Sequence, residues 1–133
     1  MNVAEGSALY HAVKDNTDIW SAINGAFFPN ILPEYATYPA IVWGQLTDDI
    51  TMTKDGPVKN GQLFQLDIYG KDYGTVQQIA LLLKNKMMWL HLEVPNLGLC
   101  EISYSDQGDA TPIPDKGLLH IIQDYRVRVK RPA

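Results

Sequence analysis

GQLFQLDIYGKDYGTVQQIALLLKNKMM, residues 61–88, changes hydrophobic period once, and that change decides the fold. In its first part Phe64, Leu66 and Ile68 fall on one side of an extended chain, and Gln65 and Asp67 fall on the other. This is the pattern of a half-buried strand over residues 61–69. After Tyr69-Gly70 the period becomes helical. Val76, Ile79, Ala80, Leu83 and Met87 form one apolar stripe, while Gln77, Gln78, Lys84 and Lys86 are left for water. A strand and a helix (residues 72–88) joined by at most about five residues must fold back on each other.

Working outward from this pair, three further strands are predicted. Residues 40–47, AIVWGQLT, are rich in β-branched and aromatic residues. Residues 99–105 alternate, with Cys100, Ile102 and Tyr104 together. Residues 118–130 alternate longest, with Leu119, Ile121, Tyr125, Val127 and Val129 on one side and His120, Asp124, Arg126, Arg128 and Lys130 on the other; Gln123 interrupts the apolar set. Each of these strands has a single apolar face, so one side of the sheet needs covering. The covering is predicted to come from the helix over 72–88 and a first helix over 3–14, in which Ala8, Leu9, Ala12 and Val13 lie together. Asn16-Thr17-Asp18 reads as a break and a new N-cap for a short helical segment that Asn24-Gly25 ends, the two helical pieces being either separate or one bent unit. The expected fold is therefore α+β: one largely antiparallel sheet of about four main strands, with two helices on one face.

The connections are less regular. A short extended piece at Phe27-Phe28 precedes an irregular loop containing Pro29 and Pro33, which Tyr38-Pro39 closes. Residues 48–60, DDITMTKDGPVKN, carry a turn signal at Asp55-Gly56-Pro57 and only scattered apolar residues. Thirteen residues is long for a hairpin connection. Either the segment is a functional arm reaching out from the sheet, or the two flanking strands simply run on past it. Residues 89–98 are mixed and broken by Pro95, and residues 105–116 read as a polar loop with two prolines.

A chain of 133 residues, 46% hydrophobic and 20% charged, is of ordinary single-domain size and composition, and residues 1–133 are read as one domain. No apolar run approaches the roughly 18 residues that a membrane-spanning helix needs. The opening MNVAEGSALYHAVKDN has neither a basic leader nor a continuous apolar segment, and the single Cys100 can build no disulfide framework; both place the chain in a cytoplasm.

Catalytic chemistry finds little support. GKDYG lacks the spacing of a phosphate-binding loop, and His11, His91 and His120 stand apart from one another and from Cys100, with no metal-ligand spacing. Asp48-Asp49, Asp106 and Asp109 follow no calcium-loop pattern, and no serine sits in a nucleophile motif. No enzyme, cofactor or metal is expected. Trp20, Trp43, Trp89 and Tyr69 are expected in the core.

The net charge is −4, yet four of the last eight residues are Arg or Lys. Arg126, Arg128 and Lys130 project from one side of one strand, about 6 to 7 Å apart. Such a row repels itself unless something answers it. The answer is a neighbouring strand bearing Asp67 or Glu101, or a subunit partner, or DNA passing nearby. Together with Asp48, Asp49, Lys54, Asp55 and Lys59 of the long connection, these three are the candidate contacts to other molecules.

ALYHAVKDN in the first helix is followed by FFPNILPEYATYPAIVWGQLTDD, in which Tyr38-Pro39 leads into a hydrophobic strand. Then come the acidic connection with Asp55-Gly56-Pro57, FQLDIYGKDYGTVQQIALLL, and DYRVRVKR in the last strand. In this order and spacing the chain resembles the DUF3168 family of phage tail-completion proteins, which includes tail-terminator-like proteins of long-tailed phages and prophages. Residues 89–116 carry least of the resemblance. It implies a structural subunit that forms a ring, commonly a hexamer, at the head-proximal end of the tail tube. There it stops tube polymerisation and joins the tail to the head. The implied partners are further copies of itself, the tail tube protein and head-tail connector proteins. No membrane and no sequence-specific nucleic acid is implied, although DNA passes through such a ring. The implied locations are the bacterial host cytoplasm during assembly and then the virion tail. The contrasting reading, from the residues alone, is a small non-catalytic α+β protein-binding module acting as monomer or dimer.

Overall fold

The computed structural model describes residues 3–53, 56–94, 98–108, 111–113 and 117–130. The elements run α1 (Val3–Lys14), α2 (Thr17–Ile23), β1 (Phe27–Pro29), β2 (Ala40–Thr53), β3 (Gly56–Gly70), α3 (Tyr73–Met87), β4 (Trp89–Val94), β5 (Gly98–Gln107), β6 (Thr111–Ile113) and β7 (Leu118–Lys130). Across the sheet the order is β1-β2-β3-β7-β5-β4, with β6 also pairing with β7. The pair β1–β2 is parallel, and every other pair is antiparallel.

The helix–strand switch behaves as its period dictates. Phe64, Leu66 and Ile68 of β3 are buried, and so are Val76, Ile79, Ala80, Leu83 and Met87 of α3. Asp72 caps α3: its Oδ2 accepts from the Thr75 hydroxyl at 2.5 Å and its Oδ1 from the Thr75 N–H at 3.0 Å, and these two bonds hold its carboxyl below the usual carboxylate range. The turn is tight at Gly70, where an added Cβ would come within 2.6 Å of Val76 Cγ1.

Leu9 and Val13 of α1, Ile19 and Ile23 of α2, the α3 stripe and the inner residues of β3, β5 and β7 form one core cluster. All three helices therefore cover the same face of the sheet, as the one-sided strands require. An aromatic run ties in the β1–β2 side: Phe27 stacks on Trp43 at 5.6 Å between ring centres, and Trp43 meets Phe64 at 6.0 Å.

Four features depart from the sequence reading. First, the described sheet has seven strands and is mixed, because the Phe27-Phe28 piece joins it as β1 alongside β2. Second, there are three helices. Asn16 caps α2 through its side chain, which accepts from the Asp18 and Ile19 N–H groups, and Asn24 ends it in the left-handed region at φ 52°. The break and the stop were both in the sequence, and they separate α2 from α1 as an element of its own. Third, residues 89–94 are a strand, β4, paired with β5 from Trp89↔Ser103 to Val94↔Gly98. No Gly or Pro separates it from α3, so nothing in LLLKNKMMWL marks the boundary. Fourth, residues 105–107 continue β5, and Thr111–Ile113 form a short edge strand.

The interruption at Gln123 is a packed polar network. Gln123 is fully buried; its Nε2 donates to the Ala80 carbonyl of α3 at 2.9 Å and to Gln107 Oε1 at 2.8 Å. The Tyr125 hydroxyl donates to Gln123 Oε1 at 2.9 Å. Burial, reinforced by nearby Tyr104, pushes the Tyr125 hydroxyl far above the usual tyrosine range, so it stays a donor. The network pins α3 to β5 and β7 at one register. Gln123→Ala strips the buried Tyr125 hydroxyl of its acceptor and leaves a cavity, and is expected to cost about 3 kcal/mol. A thermal melt should show a drop of about 10 °C. Tyr125→Phe, which removes one bond and no volume, should cost about 1 kcal/mol.

Candidate functional site

The segment of residues 48–60 is neither a loop nor a simple turn. β2 and β3 stay paired along their whole length, through Ile50↔Lys59 and Thr51↔Val58 to Thr53↔Gly56. Meanwhile their other neighbours fall away. Pairing of β1 with β2 ends at Trp43, and pairing of β3 with β7 begins only at Gln62. Beyond the rung Asp48–Gln62–Val127, β2 and β3 have no third strand among the described residues. The product is a two-stranded arm about 20 Å long. Two register shifts, between Gln45 and Thr47 and between Asp49 and Ile50, fall at its root. Shifts of this kind bend a ribbon and sharpen its twist, which sets the angle at which the arm leaves the sheet.

Asp48 and Asp49 sit at the root, opposite Gln62 and Gly61, and Lys59 lies opposite Ile50. Lys54 and Asp55 lie outside the described residues. Arg126 pairs with Leu63 on one side and Ser103 on the other. Arg128 is opposite Glu101, and Lys130 is opposite Leu99. Of the two acidic residues expected to answer the basic row, Glu101 is thus in register with it, while Asp67 lies opposite Ile122. Glu101 also holds His91 Nε2 at 3.2 Å. Because β3 leaves β7 at Val127, Arg128 and Lys130 flank the root of the arm, so the fold brings the acidic and basic candidates to one end of the sheet.

Gln62 stands at that root. It is fully buried, and neither its Oε1 nor its Nε2 has a hydrogen-bond partner among the described residues. Such a group costs about 1 to 3 kcal/mol of desolvation. Gln62→Leu keeps the shape and removes the cost, so it is expected to raise the melting temperature by several degrees, measured by calorimetry.

The outer face of the sheet carries Tyr69 stacked on His120 at 5.1 Å, with Asp67 accepting from Gln65 Nε2 at 2.8 Å. Burial and the neighbouring Asp67 raise the Tyr69 hydroxyl above its ordinary value. Asn30, Val42, Gly44, Gln65 and Asp67 line a depression of about 150 Å³ beside them. No group of three or more metal-ligating side chains occurs among the described residues, and the three histidines stay apart.

Sequence reasoning missed one surface. Trp89, expected in the core, is 71% exposed, and Leu81 and Met88 just before it on α3 and its exit are also exposed. Trp20 and Trp43 do pack against the core. The signal that separates them is phase: Trp89 falls on the outward side of an edge strand that the sequence did not reveal.

A chain of the virion of a native gene transfer agent (GTA) particle is similar in structure, with a TM-score of 0.62 and 13% identity over 90% of each chain. A second solved structure is similar at a TM-score of 0.54 and 12% identity, covering 96% of this chain and 98% of that one. At such identities the likeness is one of fold. A search of curated proteins finds no match. The family described as tail completion protein gp17 matches residues 7–130, nearly the whole sequence, and the chain belongs to that family of phage tail-completion proteins.

Proposed function

We propose that this tail-completion protein assembles into a ring, six copies in the form the resemblance implies, at the head-proximal end of the tail tube. There it ends tube polymerisation and offers the next surface to the head-tail connector. Membership of the tail-completion family supports a structural role in the phage tail. The observation that carries the finer reading is the arm: a ribbon about 20 Å long, outside the sheet's own pairing, is the kind of element that reaches a neighbouring molecule. A subunit of this sort works through its interfaces and uses no cofactor. In this reading the row of Arg126, Arg128 and Lys130, at the root of the arm, faces a partner or the phosphates of DNA passing through the ring.

The test is polymerisation of the tail tube protein with and without this protein. Added at the start, it is expected to shorten the tubes in proportion to its concentration and to remain bound at one end. Tubes of unchanged length, with the protein left in the supernatant, would contradict the reading.

A further inference from the structure

We propose that the arm of one copy adds as an extra strand to the exposed edge of β4 in the next copy. The inference rests on the ring reading above and names the contact that closes it. Sheet edges with free backbone N–H and C=O groups pair readily with other strands, and proteins ordinarily blunt them with Pro, Lys or bulges. β4, Trp89–Val94, is the last strand in the sheet order, and its sequence WLHLEV contains no Pro, Gly or Lys. Helices α1 and α3 pack against β4, and among the described residues no strand pairs with its outer edge. Trp89 on β4, Leu99 on the neighbouring β5, and Leu81 and Met88 on α3 and its exit are exposed by 71%, 44%, 59% and 37%, large apolar side chains left uncovered on and near this strand.

The arm supplies the matching strand. On its β2 side, residues 48–53 read DDITMT, again with no Pro or Gly and with β-branched residues at Ile50, Thr51 and Thr53. The β3 side carries Pro57, which blunts that edge, so the β2 side is the one fit to pair. Six residues on the arm face six on β4. The two edges cannot meet within one chain: β3, β7 and β5 stand between β2 and β4, a separation of about 19 Å. Between copies, the contact joins two different surfaces, and a head-to-tail contact of that type generates a ring when its rotation closes. Pairing of β4 with β4 would instead stop at a dimer and leave the arm idle.

The experiment uses two full-length variants, His91→Cys on β4 and Thr51→Cys on the arm. They are mixed as monomers, brought to assembly at high concentration or on tail tubes, and treated with a short bismaleimide. Cys100 is fully buried, so its thiol is out of the reagent's reach. The expected result is a covalent dimer in the mixture at several times the yield of either variant alone. If microscopy shows rings and the mixed dimer is absent, the strand addition is wrong while the ring reading stands. A mixed dimer without rings supports the strand addition and overturns the ring. Dimers in His91→Cys alone mean β4 pairs with itself, and absence of both rings and dimers overturns both.

Discussion

Leu83→Asp is expected to abolish the folded state, whereas Lys84→Asp, one residue on, leaves it standing. Leu83 is fully buried at the centre of the α3 stripe, inside the single core cluster that joins the helices to β3, β5 and β7. A carboxylate there loses its water and gains no partner, at a cost of several kcal/mol against a typical total of about 5 to 15 kcal/mol. The loss of Leu side-chain burial adds about 2 kcal/mol more. Lys84 is half-buried beside the stripe rather than in it, its ammonium 4.9 Å from the centre of the Tyr104 ring. Replacing it forfeits that contact, about 0.5 to 1 kcal/mol, a shift of a few degrees in melting temperature. Circular dichroism melts of the two variants check the phase of the helix directly: a cooperative transition near wild type for Leu83→Asp would mean the stripe is not the core.

Removing the arm should separate folding from assembly. Deletion of residues 51–58 with Asn-Gly inserted in their place leaves Ile50 and Lys59, which already face each other, joined by a two-residue turn of favourable type. The deleted residues lie beyond the last described rung that the ribbon shares with β7, so the melting temperature should stay within a few degrees of wild type. Assembly is expected to be lost: the shortened protein stays monomeric at concentrations where wild type forms rings, and no longer limits tube length. Rings formed by the deletion variant would make the arm a passive extension and move the interface to Arg126, Arg128 and Lys130.

The two halves of this account were legible in the sequence to different degrees. Residues 61–88 announced both their elements, because a period of two and a period near 3.6 each hold over enough residues to be unmistakable. The α1 face at Ala8, Leu9, Ala12 and Val13 and the cap at Asn16 were equally plain, since both depend on neighbours along the chain. What escaped was set by distant partners. β4 is a strand because β5 lies beside it and the Tyr104 N–H reaches back to the Met88 carbonyl at 3.2 Å; nothing local to WLHLEV separates it from the helix before it. Gln123 looked like a flaw in an apolar pattern, and only Ala80, Gln107 and Tyr125 reveal why a glutamine is wanted there. The length of residues 48–60 raised the arm as one of two readings. The described structure joins them, since the strands do run on past the sheet and in doing so make the arm. The placement of Asp48 and Asp49 near the same end as Arg128 and Lys130 follows from register, which no single stretch encodes.

The most direct measurement is negative-stain electron microscopy of the full-length protein, alone at high concentration and mixed with preformed tail tubes. The account predicts closed rings of uniform size in the first sample, and in the second a single ring seated on one end of each tube. Dispersed particles in the first sample and tubes bare at both ends in the second would contradict it.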